Sequence, residues 1–200
     1  MINRRQVIGT GLAVSALSAG VGLSGRAAAA AAPAIRVNRI VVDTRFDEAT
    51  RIARHASGPG VELLELPRDM LELWYGQLLP MLTGGSQRSF GGVTTPLGLF
   101  MLRTLAADQR MRLVYRAEHS MPANGFVRHA ITGTAPTLAR VDGAGYLADW
   151  TRQSGCAFSQ CYSGRRAGRA VLITADGGIT RNEDLVSWII APARTQWVMA

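Results

Sequence analysis

Arg39-Ile40-Val41-Val42-Asp43, then Asp47 to Ser57, then Val61-Glu62-Leu63-Leu64-Glu65-Leu66: the fold expectation starts from these three stretches. The first is a short β-branched run that ends on a polar residue, the pattern of a buried strand. The second places Ala49, Ile52, Ala53 and Ala56 at helical spacing. Asp47 and Glu48 open it, where negative charge suits a helix N-terminus, and Gly58-Pro59-Gly60 stops it. The third reads as a second strand.

The alternation continues. Asp69 is a candidate N-cap for a helix from Met70, with Glu72 at the capping-box position and Leu71, Trp74, Tyr75, Leu78 and Leu79 as its apolar stripe. Pro80 predicts an end or a kink near Leu79, and Gly84-Gly85-Ser86 closes the unit. Ser89-Phe90-Gly91-Gly92-Val93 predicts a third strand. Thr94 or Thr95 as N-cap with Pro96 in the first turn then starts a helix that runs to about Ala107. Arg112 to Glu118 predicts a fourth strand.

Strands alternating with helices argue for a sheet covered on both faces. The expected class is α/β: a three-layer, Rossmann-like or flavodoxin-like, mostly parallel sheet in the first half and a less regular α+β second half. In that half, Ser120 to Arg140 reads as loops with at most one short strand. Gly143 to Gln153 reads as a helix with Tyr146, Leu147 and Trp150 inward. Arg169 to Thr174 reads as a strand and Asp176-Gly177-Gly178 as a turn. Asp184 to Ile190 fits either strand or helix and is ended by Pro192.

Ahead of this domain stands a different composition. Arg4 and Arg5 precede an uninterrupted apolar or small stretch from Val7 to Gly25, followed by Arg26, alanines 27–32 and Pro33-Ala34. A positive start, a mildly apolar middle and a small-residue exit form the layout of a removable secretory signal. About 19 residues is also long enough for a membrane anchor, but Gly, Ser and Ala give it little transfer energy. The arginine pair followed by Gln6, Val7 and Ile8 resembles a twin-arginine (Tat) export signal. So does the weak hydrophobicity, with glycine at Gly9, Gly11, Gly20, Gly22 and Gly25. The resemblance implies export of folded cargo through the Tat translocon, often with a cofactor or companion acquired first. Residues 1–34 are therefore expected to be removed, with alanines from Ala28 to Ala34 offering several cleavage registers. Residues 35–200 are expected to form one periplasmic or secreted α/β domain, an ordinary size for a single core.

The formal charge is +8, and every basic residue is arginine. Leaving out Arg4, Arg5 and Arg26 from the 22 basic residues leaves 19 against 14 acidic, a surplus that suits a small anionic ligand or surface. Nucleic acid is a poor fit, because no basic run alternates with aromatics.

In a parallel α/β sheet, ligands sit at the carboxyl ends of the strands. Asp43, Thr44 and Arg45 follow the first strand, and Arg68 and Asp69 the second. Gly91, Gly92, Thr94 and Thr95 follow the third, and Glu118, His119 and Ser120 the fourth. Asp43, Arg45, Glu118 and His119 are the candidate catalytic groups, with Glu118-His119 suited to proton transfer. Gly91, Gly92, Thr94 and Thr95 are the candidate ligand-binding turn, where backbone N–H groups approach an anion. Against each stands a plainer reading as a cap or a solvated loop. Neither Gly-x-Gly-x-x-Gly nor Gly-Lys-Ser/Thr occurs, so no cofactor is expected.

Cys156 and Cys161 are the only cysteines; in an oxidising compartment they predict a disulfide, with free thiols or part of a metal site as alternatives. His55, His119 and His129 show no paired metal spacing, and no metal is expected. Arg165, Arg166 and Arg169 form the densest basic cluster, read as a solvated loop or an anion contact, and Trp197 is a tail residue suited to a partner. The pattern predicts an exported accessory or small-ligand-binding domain, alone or with a co-exported companion. The alternative is a hydrolase or isomerase using Asp43, Arg45, Thr94 and His119.

Overall fold

The computed structural model describes residues 34–84, 88–120, 126–163, 166–175 and 183–193. The signal-like segment, Gly85 and Ser86, Arg165, the Asp176-Gly177-Gly178 turn and Trp197 lie outside the described residues.

The elements run β1 (Val37–Val42), α1 (Asp47–Ala56), β2 (Glu62–Glu65), α2 (Met70–Leu73), a π-helical turn (Trp74–Leu78), α3 (Leu79–Thr83), β3 (Ser89–Thr94) and α4 (Pro96–Ala107). There follow β4 (Met111–Ser120), β5 (Phe126–Thr134), α5 (Ala135–Leu138), α6 (Gly143–Ala148), α7 (Trp150–Ser159), β6 (Arg166–Ala175) and β7 (Leu185–Pro192). The protein is mixed α/β, and the strands form one seven-stranded sheet in the order β2-β1-β3-β7-β4-β5-β6.

The expectation of a mostly parallel first half needs correction. β2, β1 and β3 are parallel. β7 then inserts between β3 and β4, antiparallel to both, and β5 and β6 continue antiparallel. The reason is the composition of β7. Leu185 to Ala191 is buried throughout, with Val186, Trp188 and Ile190 packed in one core and Leu185, Ile189 and Ala191 in the other. A strand apolar on both faces belongs at the centre of a covered sheet.

Two cores flank the sheet. On one face α1, α6 and α7 bury Ile52, Tyr146, Trp150 and Phe158 against Ile40, Val93, Tyr115, Val127 and Ile131. On the other, α2, α3, the π turn and α4 bury Leu73, Trp74, Leu78, Leu99 and Leu102 against Val41, Phe90, Trp188 and Ile190.

Pro80 does not end the helical path, which continues to Thr83. The turn before it is wound wider, with Leu79 N–H donating to the Trp74 carbonyl five residues back. A π turn of this kind absorbs the local mismatch around a proline. It also shifts the buried face: Met70, Leu73, Trp74, Leu78 and Met81 are buried, while Leu71 and Tyr75 are exposed. The single helix expected from Gly143 is two. Asp149 breaks it and caps the second, its carboxylate accepting from Arg152 N–H (3.0 Å) and the Thr151 hydroxyl (2.8 Å). Tyr146 and Trp150 point inward as expected, but Leu147 is exposed. The stretch read as loops holds β5, a nine-residue strand.

Candidate functional site

The sheet brings the strand-end candidates to a common level. Asp43 N–H donates to the Val93 carbonyl (3.0 Å), Thr94 pairs with Val186, and Val186 pairs with Glu118. The row therefore runs Asp43, Thr94, Val186, Glu118. A common level is not a common pocket, and each side chain is engaged separately.

Asp43 is buried and holds Arg45 in a fork: Nε donates to Oδ1 at 2.8 Å and the second guanidinium nitrogen to Oδ2 at 2.7 Å. The hydrogen bond and charge of Asp43 hold the Arg45 guanidinium above its ordinary pKa. The same guanidinium lies over the Phe46 ring, 5.4 Å from its centre. Asp43 and Arg45 thus stiffen the β1–α1 turn.

Gly91 and Gly92 do not form the expected turn. Both lie inside β3, hydrogen-bonded on either side to β1 and β7. A Cβ on Gly91 would come within 2.5 Å of the Phe158 ring and 2.9 Å of the Trp188 carbonyl. One on Gly92 would strike the Trp188 indole and lie 2.8 Å from the Val41 carbonyl. The space an anion would need is filled by two aromatic rings, one on each face. Gly92→Ala is therefore expected to cost about 3 kcal/mol by overpacking, read as a fall in urea midpoint. A change under about 0.5 kcal/mol would contradict this packing.

Thr94 is fully buried, and its hydroxyl accepts from Trp188 Nε1–H at 3.0 Å. Thr95 is the N-cap of α4, its hydroxyl oxygen accepting from Gly98 N–H at 3.3 Å, with Pro96 next, as the sequence predicts. Glu118 and His119, neighbours in sequence, point to opposite faces. Glu118 pairs with Arg116 (2.9 Å) and Arg169 (3.5 Å).

His119 faces the core, and there the structure holds an arrangement that sequence reasoning missed. His119 stands directly opposite His129 on β5, and the two Nδ1 atoms are 2.8 Å apart. His119 Nε2 is 2.9 Å from the Ser187 hydroxyl, and His129 Nε2 is 2.9 Å from the Thr174 hydroxyl. All four residues are buried. The Trp150 ring lies 5.1 and 5.0 Å from the two imidazoles, and Tyr146 lies 5.3 Å from His129.

A neutral imidazole donates at one nitrogen and accepts at the other. The chain Ser187–His119–His129–Thr174 therefore has two consistent proton orders. In one, Ser187 donates to His119, His119 Nδ1–H donates to His129, and His129 Nε2–H donates to Thr174; the other runs in reverse. Burial holds His129 well below its ordinary pKa, at about 4. Burial and the neighbouring His129 together push His119 well down too. Two neutral, fully bonded imidazoles act here as cross-strand ties between β7, β4, β5 and β6, with no open side for a substrate.

The expected Cys156–Cys161 disulfide is not formed; both thiols are free. Cys156 sits in the last turn of α7, while Cys161 lies past the helix end, buried in the core. Burial pushes the Cys161 thiol up to about 12. Alkylation in denaturant without reductant is expected to modify both cysteines, and alkylation of the native protein to spare Cys161. An intact mass showing neither modified would restore the disulfide.

A small, partly open recess of about 10 Å³, room for little more than one water molecule, lies beside Tyr115, Arg140, Tyr146 and Gln153. None of the strand-end candidates lines it. Among the described residues no group of three His, Cys, Asp or Glu residues is placed to hold a metal ion, and no helix is long and apolar enough to cross a membrane. A scan against models of protein families found no match, and searches among curated proteins and among solved structures found none either.

Proposed function

We propose that this chain is an exported periplasmic accessory protein, carried through the twin-arginine route in company with another protein, and that its strand-end polar groups hold the fold rather than perform chemistry. One observation carries the reading. Asp43, Thr94 and His119, the buried groups best placed for a site, each bond to a neighbouring side chain: Arg45, Trp188 and His129. A catalytic acid or base needs a side of its polar atoms turned toward substrate. Glu118, the remaining candidate, faces away from His119 and is paired with two arginines.

The discriminating experiment is complementation. A strain lacking the protein is expected to be restored by the Asp43→Asn and Thr94→Val variants at matched folded amounts. A variant that folds, accumulates normally and fails to restore the strain would establish a chemical role for that residue and overturn the accessory reading.

A further inference from the structure

The seven-stranded sheet is covered unevenly. On the face of α1, α6 and α7, the helical layer extends over β5 and β6: Tyr146 and Trp150 sit on His129, and Leu138 and Leu172 pack at the rim of that core. On the opposite face α4 lies over β3, β7 and β4. Beyond β4, Phe126 on β5 and Val171 and Ile173 on β6 remain 50%, 48% and 58% exposed. Neighbouring strands are about 4.8 Å apart, so two strands leave a strip roughly 10 Å wide. Packed helices lie about 8–10 Å apart. A strip of that width is enough to seat one helix beside α4.

Its charge is one-sided. In register across β5 and β6, Arg128 pairs with Ile173, Ala130 with Val171 and Thr132 with Arg169. The exposed side of these two strands thus carries two arginines and no acid; its apolar part is Phe126, Val171 and Ile173, while Ala130 beside Val171 is buried by its neighbours. Glu118 lies one strand inward on β4, already bound to Arg116 and Arg169. Asp184 sits at the corner with Ser120, which donates to it at 3.4 Å. Arg128 has no acidic partner among the described residues.

We infer that the open face of β5 and β6 is the docking surface for an amphipathic helix of the companion protein, apolar toward Phe126, Val171 and Ile173 and acidic toward Arg128 and Arg169. This rests on the accessory reading above and adds where and by what chemistry the companion binds. The arginine rows are about 13 Å apart along the strands, which spans about nine residues of helix. The occupant therefore carries acids about that far apart on either side of an apolar stripe. A second copy of this chain would lay arginines on arginines. The chain's own N-terminal segment brings Arg4, Arg5 and Arg26 and no acid. Both are disfavoured by like charge.

Photo-crosslinking in the producing cell tests this. Benzoylphenylalanine is placed at Ile173 and, as control, at Leu147, exposed on the opposite side of the sheet. Position 173 is expected to give a heteromeric adduct that position 147 lacks. Its mapped peptide should be an amphipathic helical segment with acids flanking its apolar face. Arg128→Glu together with Arg169→Gln, which opens only the exposed pair to Glu118, should lower the yield about tenfold, the equivalent of about 1.4 kcal/mol, with melting temperature changed no more than loss of one surface ion pair allows. A homodimer, a lipid adduct, a non-acidic peptide, equal yield at 147 or no adduct would each overturn the inference. If native mass spectrometry still finds a companion in those cases, the docking surface alone is wrong. If it finds none, the accessory reading falls as well.

Discussion

Trp188→Ala is expected to destabilise the protein by about 4 kcal/mol, a large part of the total for a domain of this size. Trp188 is completely buried at the centre of the sheet. Its indole packs edge-on against Phe90, ring centres 5.7 Å apart at 89°, and fills the space over Gly92 that a side chain would otherwise occupy. Its Nε1–H is bonded to the buried Thr94 hydroxyl. Truncation leaves a cavity that a central strand cannot collapse and removes a hydrogen bond from a group that water does not reach. Trp188→Phe keeps part of the ring contact and is expected to fall between alanine and the native protein. Urea unfolding should show the midpoint dropping in that order with the slope unchanged. A loss below about 1 kcal/mol for the alanine variant would mean that this centre is not packed as described.

The second large effect is on acid stability. His129 titrates at about 4 in the folded protein, against an ordinary value of 6.5, because burial penalises its charged form. His119 is depressed in the same direction by burial and by His129. A histidine whose pKa is lowered on folding binds more protons unfolded than folded, so stability rises with pH. The contribution is fully present above 6.5 and is lost as pH falls from there through about 4. For His129 alone it amounts to about 3 kcal/mol. Urea unfolding at pH 7, 6, 5 and 4 should show this loss beginning above the range where carboxylates titrate. Replacing both histidines by leucine should remove the portion between pH 6.5 and 4.5 and leave the carboxylate portion. An unchanged pH dependence in that double variant would show that the pair is not what acid attacks. The Tyr146 and Trp150 rings offer the imidazolium no opposing carboxylate, which is why the pair is a weak point in acid.

Much of the first half was legible in the sequence. Ile40-Val41-Val42 became β1, the Ala49/Ile52/Ala53 spacing became the buried face of α1, and Thr95-Pro96 became the start of α4. Local patterns carried those elements. What was not legible depended on partners far along the chain. β7 shows no alternation because both its faces are buried, so periodicity could not separate strand from helix. Its insertion between β3 and β4 is a long-range event that no local stretch encodes. β5 was hidden because Val127, His129 and Ile131 do alternate inward, but a histidine in the middle position reads as polar. The histidine pair needs a cross-strand register, which neither β4 nor β5 specifies alone. Gly91-Gly92 resembled a turn because small residues suit turns. In the structure they suit the close approach of Phe158 and Trp188. The exposed strip of β5 and β6 follows only once the helical layers are placed.

In the proposed function this chain works through a companion and not through chemistry at its strand ends. The most direct measurement is native mass spectrometry of the protein taken from the cell that makes it, beside the Ile173→Asp variant. The expected result is a chain cleaved between Ala28 and Ala34 and bound to a stoichiometric second protein, which the variant releases while remaining folded. A cleaved native chain found alone, with no companion in either sample, would contradict it.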